Sequence, residues 1–281
     1  MAKKNPSQEL SELRPGQSVE LLQELHILTR DGRMNQDSRR KLKQVYHLYQ
    51  FIEPLLQQVK DEHGAVTLVD HGAGKSYLGF ILYDLFFKAL QDVSHIFGIE
   101  TREELVAYSC ELAQRLGFGG MSFFNLSVAD SIASDRLPQQ VDVVTALHAC
   151  DTATDDAIRF ALEKRARFIV LVPCCQAEVA AVLRKHKNAM LKHPLAELWR
   201  HPIHTREFGS HVTNVLRCLQ LQAHGYQVMV TELVGWEHSM KNELIVASYK
   251  NLPRGQAADR LSALLRELGL EELQGRFFTS I

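Results

Sequence analysis

No apolar run in the 281-residue chain is long enough to span a membrane. The opening segment, MAKKNPSQELSEL, lacks the apolar centre of a secretory leader. Both absences give the expectation of a soluble, cytoplasmic protein without membrane contact. Cysteine is scarce too: five residues, two of them adjacent, make no disulfide framework and suit a reducing compartment. Neither sign of charge is in excess. The 32 Lys and Arg against 33 Asp and Glu leave a formal net charge of -1, so the overall field does not argue for a polyanionic partner. There is no internal repeat and no low-complexity segment. What is present, 46% hydrophobic and 23% charged residues, supports one ordinary globular core with appendages.

Three zones divide the chain. Residues 1–62 carry no strand signal and read as a helical region. From Ser38 onward, Leu42, Val45, Tyr46, Tyr49, Ile52, Leu56 and Val59 recur at helical spacing. Pro54 is expected to kink or split that helix, and Arg39, Arg40, Lys41 and Lys43 cluster at its start. Residues 63–251 alternate apolar β-rich runs (AVTLVD, VSHIFGIE, MSFFNLSV, VDVVTALHA, RFIVLVP) with helical segments, among them 75–90, one from a T-x-x-E capping box at Thr101 and Glu104 to Gly117, and 154–165. That rhythm predicts an α/β fold with a parallel sheet covered on both faces. It breaks at YQVMVTELV and NELIVASYK, which form a hairpin, so the sheet should finish with an antiparallel strand. Residues 252–281 read as a helical tail with one amphipathic helix around 258–268.

The segment LVDHGAGKSYLGF contains GAGKS, which resembles the end of a phosphate-binding P-loop. That loop needs a glycine five residues before Gly74, and the residue there is Val69, inside the first strand. The remaining reading is a strand ending in an acid, then a tight glycine turn into a helix: Asp70-His71-Gly72-Ala73-Gly74. Glycines permit positive φ and close backbone approach, and the helix start offers free N–H groups. A dinucleotide site would carry a third glycine where Tyr77 stands. The acid-x-G-x-G-x-G turn of S-adenosylmethionine (SAM) sites fits Asp70, Gly72 and Gly74, with Ser76 in the last place. Glu100 ends the second strand, where a carboxylate accepts both ribose hydroxyls. SAM is therefore the expected cofactor, cradled by Asp70, Gly72, Ala73, Gly74, Tyr77 and Glu100. Asn125 and Ser127, after the third strand, are the candidates for adenine recognition.

The segments DHGAGKSYLGFILYDLF, LHACDTATDDAI, VPCCQ and EHSMKNELIVA give the chain a resemblance to class I (Rossmann-like) SAM-dependent methyltransferases. More narrowly it resembles a subgroup related to the tRNA 2′-O-ribose methyltransferases with CHHC-type zinc fingers. That subgroup has a G-A-G-K-G turn, an H-x-C-G/D-x-A-T-D segment and a Cys pair after the fifth strand. The resemblance covers residues 63–250 and implies a seven-stranded sheet, mostly parallel with an antiparallel last strand, and an RNA substrate. Ser76 departs from it, a change expected to be tolerated because the helix has begun. No CHHC finger is present.

In such a sheet, ligands bind at the carboxyl ends of the strands. The fourth strand ends at His148-Ala149-Cys150-Asp151, the fifth at Pro173-Cys174-Cys175-Gln176, and the hairpin loop holds Trp236, Glu237 and His238. His148, Asp151, Cys174, Cys175 and Glu237 are the candidates for the acceptor side. Methyl transfer from a sulfonium depends mostly on positioning, and a hydroxyl or ammonium acceptor needs a base, for which His148 or Asp151 is placed. Asp151 can equally serve as a helix N-cap. Cys150 with Cys174 or Cys175 mimics the paired cysteines of pyrimidine C5 methyltransferases, although free cysteines are commonly core filler. His201, His204 and His211 have no tetrahedral spacing, so no metal is expected.

Overall fold

A computed structural model describes residues 12–90, 92–147, 149–173, 176–186, 194–233 and 243–280. Those residues divide into two compact units, one running up to Ser127 with Leu233, the other comprising 128–232 and 243–280.

The first unit opens with a short helix, α1 (Val19–Glu24), and a long one, α2 (Gln36–His63). The Asn35 side chain caps α2 by accepting from Ser38 N at 2.8 Å, and Gly64 ends it in the left-handed conformation (φ 76°). Leu42, Leu48, Tyr49, Ile52, Leu56 and Val59 are buried along one face, each stabilising by roughly 1.5–3 kcal/mol. Pro54 does not split α2. The carbonyl that loses its partner belongs to exposed Gln50, where solvent can substitute, and the apolar face holds the helix across the gap. The basic cluster at the start of α2 is largely paired with carboxylates: Arg39 with Glu12 at 2.8 Å, and Arg40 and Lys41 with Asp37 at 3.0 and 2.9 Å.

Strand β1 (Thr67–His71), helix α3 (Tyr77–Leu85) with a 3₁₀ turn at Phe87–Ala89, β2 (His95–Glu100), α4 (Glu103–Leu116) and β3 (Met121–Asn125) complete this unit. The expected capping box at Thr101 does not form. Arg102 occupies the N-cap position, while the main-chain N–H and hydroxyl of Thr101 both turn to Glu100.

The second unit holds α5 (Val128–Ala133), β4 (Val143–Leu147), α6 (Thr152–Glu163), β5 (Phe168–Val172), α7 (Glu178–Lys185), α8 (Pro202–Ala223), β6 (Tyr226–Glu232), β7 (Glu243–Tyr249) and α9 (Gly255–Glu267). The 22-residue α8 follows His201 and carries His204 and His211. All five residues of β5 are buried, which explains its uninterrupted FIVLV.

The seven strands hydrogen-bond in the order β3-β2-β1-β4-β5-β7-β6. β1 with β2, β2 with β3 and β4 with β5 are parallel, whereas β7 runs antiparallel to both β5 and β6. This is the expected Rossmann-like sheet with its reversed last strand. Among the described residues, no helix is long and apolar enough to cross a membrane.

Candidate active site

The end of β1 turns sharply because Gly72 and Gly74 take positive φ, 67° and 59°. Ala73 N donates to Ile99 O at 2.9 Å, which pins the turn against the end of β2. Ser76 was expected to lie inside the helix, but α3 begins at Tyr77 and Ser76 is itself left-handed (φ 49°, ψ 40°). It therefore occupies a backbone conformation that favours glycine. Its buried hydroxyl donates to Asp70 Oδ2 at 3.1 Å, so the side chain offsets part of that strain by meeting a buried carboxylate. Behind them Gly79 has no room for a side chain: a Cβ there would come within 2.4 Å of Ser76 Oγ.

Glu100 sits at the end of β2 among donors. Gly74 N reaches Oε2 at 2.8 Å, and Thr101 N and Arg102 N each reach Oε1 at 3.0 Å. Arg102 adds a side-chain fork, Nε to Oε1 at 3.1 Å and Nη2 to Oε2 at 3.3 Å. Burial alone would raise the Glu100 carboxyl, but the bonds from Arg102 and the main chain outweigh it and hold it below its usual range. Asn125 Nδ2 donates to the Glu100 carbonyl at 3.1 Å, which ties the end of β3 to the same point, while Ser127 is exposed beyond it. Buried His71 is pushed down to about 4 by desolvation, against a raising pull from Glu100. Burial likewise raises the Tyr77 phenol. The structure therefore brings together Asp70, Gly72, Ala73, Gly74 and Glu100, with Asn125 at their margin. Glycine turns, an ionised strand-end acid and a helix start fit SAM.

In the second unit, Asp151 stands between β4 and α6 with φ 51° and ψ -120°, a strained conformation for any residue but glycine. Its side chain does not cap α6. Oδ1 accepts instead from Ala177 N at 2.9 Å and Glu178 N at 3.3 Å, at the start of α7. Its carbonyl accepts from Arg217 Nη2 at 2.8 Å.

Arg217, fully buried on α8, forks onto Asp155 and reaches Asn214 Oδ1 at 3.2 Å. Gln176 Nε2 donates to the same Asn214 oxygen at 3.0 Å, Ser210 Oγ donates to Gln176 Oε1 at 2.6 Å, and Asn214 Nδ2 donates to Glu243 Oε2 at 2.9 Å. One polar network thus holds the residues following β4 and β5 and the start of β7. Sequence spacing assigns no role to Arg217, Asn214 or Asp155. The available signals were a lone Arg within the apolar periodicity of VLRCLQ and the closing Asp of the TATD segment. His148, Cys174, Cys175 and Glu237 lie outside the described residues.

A protein-family model described as a methyltransferase domain matches residues 40–182, more than half of the chain. The chain belongs to this methyltransferase family. No curated protein matches it. Among solved structures, a protein from Klebsiella pneumoniae assigned as an O-methyltransferase superposes with a TM-score of 0.51 at 13% identity, over 87% of this chain and 96% of that one. The SAH-bound methyltransferase PaMTH1 from Podospora anserina gives 0.44 at 9% identity, over 89% and 98%. The SAH-bound magnesium protoporphyrin IX methyltransferase from Synechocystis gives 0.44 at 14%, over 82% and 93%. Family and fold together make the protein a class I SAM-dependent methyltransferase.

Proposed function

We propose that this methyltransferase acts on RNA, in the manner of the tRNA 2′-O-ribose methyltransferases that its sequence resembles. The observation that carries the reading is the segment LHACDTATDDAI, which lies inside the family-matched region. Its Asp151 is strained and its Asp155 is bound by a buried arginine. Strain of this kind, held by a surrounding network, is a feature of functional loops. Bound SAM would supply an electrophilic methyl group on a sulfonium. The chain's own part is to orient the acceptor and to take its proton. Among the described residues both side-chain bonds of Asp151 fall on Oδ1, and Oδ2 is the atom assigned to receive a hydroxyl proton. His148, Cys174, Cys175 and Glu237 complete the proposed acceptor side.

A second reading, a small-molecule or protein acceptor, is favoured by the pairing of Arg39, Arg40 and Lys41 with carboxylates, which leaves less charge for phosphates. The test is to incubate the protein with methyl-labelled SAM and, separately, the RNA, protein and small-molecule fractions of cells lacking its gene, with Asp70→Asn as control. Label in RNA with the wild type only is the expected result. Label confined to protein or small-molecule fractions favours the second reading. No label anywhere, with SAM binding intact, makes the protein a non-catalytic binding module.

A further inference from the structure

The donors around Glu100 exceed what it can accept. A carboxylate has about four lone-pair sites, and six contacts already converge on this one: Gly74 N, Thr101 N and Oγ1, and Arg102 N, Nε and Nη2. The three main-chain donors belong to the turns that shape the site and cannot leave without unmaking them. The Arg102 guanidinium differs. It sits at the end of a flexible stem, its side chain is 59% exposed against 8% for Glu100, and it reaches over the glycine turn to within 3.9 Å of where a Gly74 Cβ would lie. Its Nε and Nη2 present two donors side by side to the two carboxylate oxygens. A vicinal ribose diol presents the same pattern to the same acceptor.

We propose that Arg102 is a positioning residue that competes with the cofactor ribose for Glu100. Binding exchanges one pair of donors, the guanidinium fork, for another, the ribose hydroxyls. The arginine keeps the carboxylate ionised and aimed by the bonds it makes, and it lowers the affinity for the cofactor by the strength of the fork that must be released. The proposal rests on SAM being the cofactor, so wild-type binding of S-adenosylhomocysteine (SAH) is its baseline.

The experiment is calorimetric titration of wild type, Arg102→Ala and Arg102→Gln with SAH and with its 2′-deoxyribose analogue. Because the guanidinium is largely exposed, the expected gain for SAH is modest, about two- to fivefold tighter binding in Arg102→Ala. Arg102→Gln should move the same way. The deoxy analogue cannot replace both donors, so its gain should be clearly smaller. Unchanged or weaker SAH binding in both variants would overturn the proposal, as would equal gains for the two ligands. A wild type that fails to bind SAH at all would remove the cofactor and the exchange together. Wild-type binding with no gain in the variants would remove only the exchange.

Discussion

Arg217 holds Asp155 in a buried two-point grip, Nε to Oδ1 at 2.7 Å and Nη2 to Oδ2 at 2.9 Å, across 62 residues of sequence. The same guanidinium reaches the carbonyl of strained Asp151, so one side chain links an ion pair to the loop expected to face the acceptor. Such a pair is weak evidence of net stabilisation, since both charges were desolvated to form it. Breaking it is another matter. Arg217→Ala should cost about 3–5 kcal/mol, because the Asp155 carboxylate stays buried without its counter-charge. The double variant Arg217→Met with Asp155→Leu should cost clearly less than the two single changes summed. Urea denaturation of the wild type, Arg217→Ala, Arg217→Met, Asp155→Leu and the double variant measures both effects, and strict additivity would show that the pair does not act as a unit.

Ser76 makes two opposed contributions that substitution can separate. Ser76→Ala keeps the left-handed backbone and loses the bond to Asp70, so it should destabilise by about 1.5–3 kcal/mol. Ser76→Gly loses the same bond but relieves the strain, and should be about 1 kcal/mol less harmful than alanine. Thermal unfolding of the two variants gives the order directly. Gly79→Ala should also destabilise, since its methyl would drive Ser76 Oγ from Asp70.

Much of the fold was legible because its signals are local. The apolar runs that became β1, β2, β4 and β5 are short and bounded by turn residues, and the hairpin of β6 and β7 has no helix to confuse it. The turn at Asp70, Gly72 and Gly74 was readable because few ligands need an acid and two glycines at that spacing. What was not legible depended on partners distant in sequence or on choices between partners. Thr101 and Glu104 have the capping-box pattern, but a neighbouring carboxylate draws Thr101 away. Pro54 breaks a helix only where burial on one face does not hold it. The network of Gln176, Ser210, Asn214, Arg217 and Glu243 joins segments that no spacing rule connects. The length of α8 was hidden because its buried face is studded with polar residues, among them Thr213, Asn214, Arg217 and Gln220.

His71 makes stability depend on pH in a window of its own. Its folded value of about 4 lies below the 6.5 of an unfolded chain, so the unfolded state binds more protons between those limits. Its contribution is complete above pH 6.5 and is lost as pH falls toward 4, by roughly 3 kcal/mol in all. Burial lowers His95 and His224 as well, so they share the direction. Carboxylates enter mainly below about pH 4.5. Between pH 6.5 and 4.5, His71→Asn should therefore flatten the dependence of unfolding free energy on pH by up to about 1.4 kcal/mol per pH unit. An unchanged slope would mean that His71 binds its proton as readily in the folded protein as in the unfolded chain.

Glu100 should matter to the cofactor through charge rather than shape. Glu100→Gln keeps the side-chain size but replaces one acceptor oxygen by an NH₂ that faces the donors of Gly74 or of Thr101 and Arg102. Either orientation sets donor against donor and forfeits about one charge-assisted bond to the ribose, worth about 1.5–3 kcal/mol. SAH binding should weaken by about ten- to a hundredfold. Stability should change less, because the Arg102 fork that is lost at the same time is largely exposed. Titration calorimetry with SAH, alongside a denaturation curve for the same variant, separates the two effects. A large loss of stability with affinity retained would mean that Glu100 holds the turn together and does not hold the ribose.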